Sequence, residues 1–233
     1  MGKIGLLLPA YNEEKYIGNI IKEAKKYLPG SIIVVVDDGS RDRTPSIASK
    51  MGVKVLKHIK NRGKGEALKT GFKYFLSKSV DFVVVTDTDG QYKIKDAGKI
   101  IDALKNGKGD LVTGYRIPSD IPYLNRIGNF IWRFIFNRFF GTNLKDIACG
   151  FIGLNKNALK KMRNIYGGYI IESSLFINCV NKKLRIFQVP MNVYYHRKRK
   201  IVIKKFSNMF LAVLLFIIVN GMKHKLKTGH HFK

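Results

Sequence analysis

Residues 83–91 read Val-Val-Val-Thr-Asp-Thr-Asp-Gly-Gln, an apolar run that closes on two carboxylates and an amide. In a continuing strand Asp87 and Asp89, two positions apart, point to the same face, and a turn at Gly90 folds Gln91 back toward them. Oxygen-only ligands of this kind suit Mg2+ or Mn2+, which keep waters and bind a substrate diphosphate as well. Zinc would want His or Cys nearby, and the segment holds neither. Alone, an Asp-x-Asp-Gly is a polar turn that ends a strand. Here it has company: the run 32–36 closes on Asp37-Asp38-Gly39-Ser40, and the run 4–8 closes on Pro9-Ala10-Tyr11-Asn12-Glu13-Glu14.

Between these runs the pattern changes to helical spacing. Residues 13–28 carry Ile17, Ile20, Ile21, Ala24 and Leu28 on one stripe, with Asn12 placed as an N-cap and acids in the first turn. Pro29-Gly30 stops that helix, and Thr44-Pro45 opens a short one to about Met51. A strand at 53–56, a helix at 64–77, a strand at 80–86, a helix at 94–104 and a strand at 110–113 complete a run of βαβ units. The expected fold is α/β, a mostly parallel sheet flanked by helices. Ligands of such sheets bind outside the carboxyl ends of the strands, where the acids lie.

Composition bounds the partners. The 233 residues carry a formal charge of +27 and 45% hydrophobic content, enough for a real core and a demand for an anionic partner such as nucleic acid, a membrane surface or a phosphorylated substrate. Cys149 and Cys179 lack metal-type spacing and read as reduced core thiols. Met1-Gly2-Lys3 runs straight into the first strand without a cleavable leader, so a cytoplasmic location is expected.

Several α/β chemistries are disfavoured. No Gly-x-Gly-x-x-Gly follows the first strand, against a dinucleotide oxidoreductase. Residues 61–67, Asn-Arg-Gly-Lys-Gly-Glu-Ala, lack the Ser or Thr of an NTPase loop and read as a basic glycine turn opening a helix, able to touch phosphate through its amides. A nucleotidyltransferase would carry a glycine-rich basic signature where Pro9 to Glu14 stand. Acidic strand ends in the ligand crevice repel a polyanion, so nucleic acid is not an expected partner.

Six segments, in order, resemble the family 2 glycosyltransferases of GT-A fold, and among them the dolichyl-phosphate mannose synthase group. They are Pro9-Ala10-Tyr11-Asn12-Glu13, Asp37-Asp38-Gly39-Ser40, Asn61-x-Gly63-Lys64-Gly65-x-Ala67, Asp87-Thr88-Asp89-Gly90-Gln91, Gly114-Tyr115-Arg116 and Asp146-x-x-Cys149-Gly150-Phe151. The resemblance implies that Pro9, Tyr11, Glu13, Asp37, Asp87 and Thr88 bind the nucleotide sugar. It implies that Asp87, Asp89 and Gln91 hold Mg2+ or Mn2+, and that Asp89, Arg116 and Arg197 act in catalysis. Asp38 is open between this pocket and capping of the next turn. The implied reaction is inverting transfer of mannose from GDP-mannose to dolichyl (polyprenyl) phosphate. The alternatives are UDP-glucose as donor or a saccharide hydroxyl as acceptor, for which Asp146 or Glu172 would have to serve as base. No Gln-x-x-Arg-Trp segment of polysaccharide synthases occurs.

The rest of the chain favours a lipid acceptor. Residues 124–140 mix Ile127, Phe130, Ile131, Phe134, Ile135 and Phe139 with Arg126, Arg133 and Arg138, which suits an amphipathic helix on a membrane surface. The apolar stretch 206–219, with an uninterrupted run from Met209 to Val219, is short for a bilayer span. It is flanked by Lys204, Lys205, Lys223, Lys225 and Lys227, and is expected to lie on or dip into an anionic membrane. The expected organisation is a catalytic domain over 1–200, including an interface helix at about 123–140, and a membrane-associated helix and basic tail over 201–233. The protein would sit on the cytoplasmic face of the cell membrane, peripheral or monotopic. The Gly-x-Ser-Lys segment common in the family after the late Val-Pro strand is replaced by Tyr195-His196-Arg197-Lys198-Arg199-Lys200. Arg197 matches the family Arg, and Arg126 and Lys200 are the expected contacts to the acceptor phosphate.

Overall fold

A computed structural model describes residues 2–117, 121, 123–162, 165–194 and 203–228. The apolar runs become strands β1 (Ile4–Ala10), β2 (Ile32–Asp37), β3 (Lys54–Lys57), β4 (Phe82–Val85) and β5 (Leu111–Arg116), followed by β6 (Ile152–Asn155) and β7 (Ile186–Met191). They form one sheet in the order β3-β2-β1-β4-β6-β5-β7. All neighbours run parallel except β6, which is antiparallel to both β4 and β5. This is the GT-A architecture.

Alternation along the strands explains why the sheet is covered on both sides. Leu7, Val34, Val36, Val83 and Val85 face one core, while Leu6, Leu8, Ile33, Val35 and Val84 face the other. Each fully buried Val or Leu contributes roughly 1.5–3 kcal/mol. The second core is closed by α1 (Ile17–Tyr27), α2 (Thr44–Lys50) and α4 (Ala97–Lys105). The first is closed by α3 (Lys64–Leu76), α5 (Tyr123–Phe140), α6 (Lys156–Lys161), α7 (Ile171–Asn181) and α8 (Ile203–Thr228). Trp132 of α5 stacks on Phe210 of α8 with ring centroids 5.6 Å apart and donates its indole N–H to the Phe210 carbonyl.

Local chemistry shifts several expected boundaries. Helix α1 starts at Ile17 rather than at 13, because Asn12 takes a left-handed φ of 55° and a turn precedes the helix. Asn12 therefore does not cap α1. Its side chain accepts from the Arg41 amide while its own N–H donates to Ser40 Oγ. Thr44 is the first residue of α2, not its cap, with Pro45 in the first turn as expected. Helix α5 has the expected bounds, whereas α8 runs well beyond 219, through Lys223 and Lys225 to Thr228. From Ser207 to Thr228 it is long and apolar enough to cross a bilayer by length and composition.

Candidate active site

A cavity of about 580 Å3 opens past the carboxyl ends of β1 and β4. These neighbours lie where the strand order departs in opposite directions, so the loops beyond them part and leave a crevice. Register sets its floor: Leu7 of β1 pairs with Val85 of β4, which brings Pro9 and Ala10 level with Asp87 to Asp89. The polar wall comprises Pro9, Ala10, Tyr11, Glu13, Asp38, Lys64, Asp87, Thr88, Asp89, Arg116 and Glu172. Asn125 and Trp132 from α5, Ile171 from α7 and Met209 from α8 complete the lining.

Lys64 is the hub of the polar wall. It opens α3 behind Gly63, whose φ of 88° is one that a side chain would resist. Its Nζ lies 2.6 Å from Asp87 Oδ1 and 2.8 Å from Glu172 Oε1. The three side chains are only 26%, 31% and 17% exposed, so the contacts are poorly screened. Burial works to lower the Lys64 pKa, but the Asp87 and Glu172 carboxylates outweigh it and hold the ammonium charged. The other edge of Asp87 is fixed by backbone: a Cβ placed on Gly150 would run into Asp87 Oδ2. Gly150 N–H donates to the buried Tyr92 hydroxyl at 3.2 Å.

Asp38 shapes the loop that delivers Lys64. Its carboxylate accepts from Arg62 N at 3.0 and 3.2 Å and from Gly63 N at 2.7 Å, and meets His58 Nδ1 at 2.6 Å. His58 is itself held by Thr70 Oγ1 at 2.9 Å. Asp38 thus lines the cavity and at the same time holds the glycine loop, two amides of which are engaged by protein. The loop after β1 is sewn to the loop after β2 in the same way: Glu13 N donates to Thr44 Oγ1, Glu14 N to Asp42, and Arg43 N and Nε to Glu14. Hydrogen bonds from the Arg43 amide and side chain pull the Glu14 pKa down. At Asp42 burial acts upward, but Thr44 and Glu14 donors win and the pKa is lowered.

Arg116, at the end of β5, makes a two-armed pair with Asp146: Nε to Oδ2 at 2.7 Å and NH2 to Oδ1 at 3.0 Å. Asp146 is fully buried and also accepts from the Arg116 and Ala148 amides. Such a carboxylate is poorly placed to act as a base. Cys149 is likewise inert, burial pushing its thiol up to about 12.

The remaining expected residues fall as follows. Pro9, Tyr11, Glu13, Asp87, Thr88, Asp89 and Arg116 share the cavity wall. Thr88 is buried, and its hydroxyl donates to the Pro9 carbonyl at 2.8 Å, tying β4 to β1. Asp37 is fully buried at the end of β2, outside the lining; Oδ1 accepts from Ser40 N, and Oδ2 has no hydrogen-bond partner among the described residues. Gln91 is also outside the lining and donates from its amide N–H and Nε2 to Asp89, at 3.1 and 2.8 Å. Arg126 is exposed on α5, 5.5 Å over the Tyr123 ring. Arg197 and Lys200 lie outside the described residues.

The donor set fits a hard divalent cation held jointly with a ligand. Among the described residues no three His, Cys, Asp or Glu side chains converge as a self-sufficient metal centre. Asp87 and Asp89 instead offer two carboxylates on the cavity wall, the number with which Mg2+ is held when phosphates complete its shell. Sequence reading missed the Lys64–Glu172 pair because the two residues are 108 positions apart. It also missed Trp132, Ile171 and Met209 as lining. The clue for Lys64 was its place one residue past a glycine turn at a helix start.

Comparison with known proteins agrees with this fold. The chain matches the Glycosyl transferase family 2 profile over residues 6–163. An uncharacterized protein of Methanocaldococcus jannaschii is 36% identical over 83% of this chain and 82% of its own length. The UDP-N-acetylglucosamine–dolichyl-phosphate N-acetylglucosaminyltransferase of Methanococcus voltae is 31% identical over 82% of this chain and 86% of its own. The polyprenol monophosphomannose synthase of Mycolicibacterium smegmatis is 24% identical over 95% and 88%. In fold, the chain resembles the glucosyl-3-phosphoglycerate synthase of Mycobacterium tuberculosis, solved with Mn2+, UDP and phosphoglyceric acid. The TM-score is 0.75 at 23% identity, over 94% of this chain and 78% of that one.

Proposed function

The chain belongs to glycosyl transferase family 2, and from that premise we propose that it moves a hexose from a nucleotide diphosphate sugar onto a polyprenyl phosphate of dolichol type at a membrane surface. The observation that carries this reading is the mixed lining of the cavity. Asp87, Asp89, Lys64, Glu172 and Arg116 line it together with Trp132, Ile171 and Met209, and Trp132 and Met209 belong to helices that carry exposed apolar side chains.

The polar wall suits an activated sugar. The sugar C1–O bond breaks, the nucleoside diphosphate leaves with the electron pair, and a phosphate oxygen of the acceptor forms the new bond to C1. Bound at Asp87 and Asp89, Mg2+ or Mn2+ would neutralise charge developing on the diphosphate. Lys64 and Arg116 supply positive charge in the same cavity. A phosphate monoester has a second pKa of about 6, so the acceptor is already ionised at neutral pH. It needs orientation rather than a general base, which agrees with the engagement of Asp146 by Arg116 and of Glu172 by Lys64.

The apolar part of the lining suits the lipid. On α5, Tyr123, Ile127, Phe130 and Phe134 form an exposed stripe. Leu211, Leu215, Val219, Met222 and Leu226 form another on α8. With Arg126, Arg133 and Arg138 beside the first and Lys223, Lys225 and Lys227 at the end of the second, they favour an anionic bilayer on the cytoplasmic side.

We take GDP-mannose as the donor. A UDP-linked sugar is the second reading, favoured by the name of the Methanococcus voltae relative. The test is incubation of the purified chain with Mn2+, polyprenyl phosphate and radiolabelled GDP-mannose, UDP-glucose or UDP-N-acetylglucosamine. One donor should yield organic-extractable, acid-labile label, and Asp89→Ala should abolish it. Label confined to water-soluble polymer would overturn the lipid acceptor.

A further inference from the structure

We propose that Lys64 is a resident counter-cation at Asp87, which keeps a free divalent ion out of the site until a nucleotide diphosphate arrives and draws the ammonium away. The inference rests on the reading of Asp87 and Asp89 as metal ligands, and goes beyond it by setting the order in which the site is filled.

Three observations carry it. First, the ammonium is already where an incoming cation would go, 2.6 Å from Asp87 Oδ1, and it is anchored from behind by Glu172 at 2.8 Å. Second, Asp87 is met on both of its oxygens: Lys64 pairs with Oδ1, and Oδ2 lies so close to the Gly150 backbone that a methyl group there would collide with it. Third, the rest of the metal wall is weak alone: Asp89 is partly engaged by the Gln91 amides, and no third acidic, His or Cys side chain among the described residues completes a cluster.

The charges then set the sequence of events. Asp87 and Glu172 share the one positive charge of Lys64 in a poorly screened recess. Adding a divalent ion at Asp87 places two more positive charges within a few ångströms of the ammonium, with like-charge repulsion barely screened. A diphosphate changes the balance because it offers its own oxygens both to the ion and to the ammonium. The Lys64 ammonium moves from Asp87 to phosphate while keeping its pair with Glu172, and the ion takes the vacated carboxylate. Each ligand then tightens the other by the same factor.

The test is Mn2+ binding to the full chain in detergent, followed by electron paramagnetic resonance with and without GDP or UDP. Wild type should bind Mn2+ weakly alone and much more tightly with nucleotide. Lys64→Met should bind Mn2+ alone about tenfold more tightly than wild type and show a smaller nucleotide effect. Lys64→Arg, which keeps the charge, should stay as weak as wild type. Should the Met variant melt early, Lys64→Gln is a second neutral replacement, with a polar end. Unchanged or weaker Mn2+ binding in the neutral variants, or equal tightening in Lys64→Arg, overturns the proposal, and absence of Mn2+ binding in every protein removes it together with the metal site. Normal Mn2+–nucleotide coupling without sugar transfer would count against the transfer reading alone.

Discussion

The Arg116 guanidinium and the Asp146 carboxylate meet edge to edge, with Asp146 fully buried and Arg116 on the cavity wall. Gln188 holds the assembly from behind, donating Nε2 to the Asp146 carbonyl at 2.7 Å. The pair therefore fixes the direction of Arg116, the only arginine among the described residues that line the cavity.

Breaking this pair from one side leaves a desolvated charge. Asp146→Ala should destabilise the protein by about 3–5 kcal/mol, while the apolar double replacement Asp146→Leu with Arg116→Met should recover much of that. Denaturant melts of the three proteins check it. An Asp146→Ala variant as stable as wild type would mean that the pair contributes nothing net. The double variant should remain inactive whatever its stability, since it lacks the cavity arginine.

Acid should destabilise the fold through carboxylates that tie loops and strand ends. Glu14 and Asp42 titrate below their ordinary values in the folded chain. So does Asp110, where burial acts upward but donors from Arg185 and Asn155 prevail. A lowered folded pKa gives stability that is present above the unfolded value of about 4 and is lost as pH falls through the lower folded one. Melting temperature should accordingly be flat near neutrality and fall below about pH 4, and Asp110→Asn should make that acid limb shallower. A limb of equal steepness in Asp110→Asn would exclude this carboxylate as a contributor.

The framework of this molecule was legible because its strands are buried on both faces and so appear as unbroken Val, Ile and Leu runs. The ends of β1, β2 and β4 gave the site's position for the same reason. What escaped reading depends on partners distant in sequence. The strand β6 is only Ile-Gly-Leu-Asn, and its insertion between β4 and β5, against their direction, is decided by pairing and not by its own four residues. The Lys64–Glu172 contact and the α5–α8 seam are of the same kind. Asn12 shows the opposite failure: a good capping residue in a good place whose hydrogen bonds were claimed by Ser40 and Arg41 of another loop.

Membrane attachment should depend on the outward stripe of α5 and not on its inward one. Phe130 and Phe134 are 56% and 63% exposed, so Asp at both positions should leave the fold intact. Removing two buried phenyl groups from a bilayer costs about 3–6 kcal/mol, so vesicle partitioning should fall by about 100-fold or more. Sedimentation with anionic vesicles measures it, and Mn2+–nucleotide binding is the control that should not change. Undiminished partitioning would assign the membrane contact to α8 alone.

Gly150 offers the sharpest test of how the donor site is built. It lies in the loop that follows the Arg116 partner Asp146, with Cys149 buried before it and Phe151 buried after it, so its Cα cannot drift outward. A methyl group there would meet the Asp87 carboxylate, and that carboxylate is held on its far side by Lys64. The side chain is the softer partner, so Asp87 should rotate away while the strands stay in place. Gly150→Ala should then lower sugar transfer by about 100-fold, the usual consequence of moving a reacting-site group by an ångström, with only a small drop in melting temperature. Gly98, in α4 with open space around its Cβ position, is the matched control, and Gly98→Ala should leave transfer unchanged. Full activity in Gly150→Ala would show that the position of the Asp87 carboxylate is not what the reaction requires.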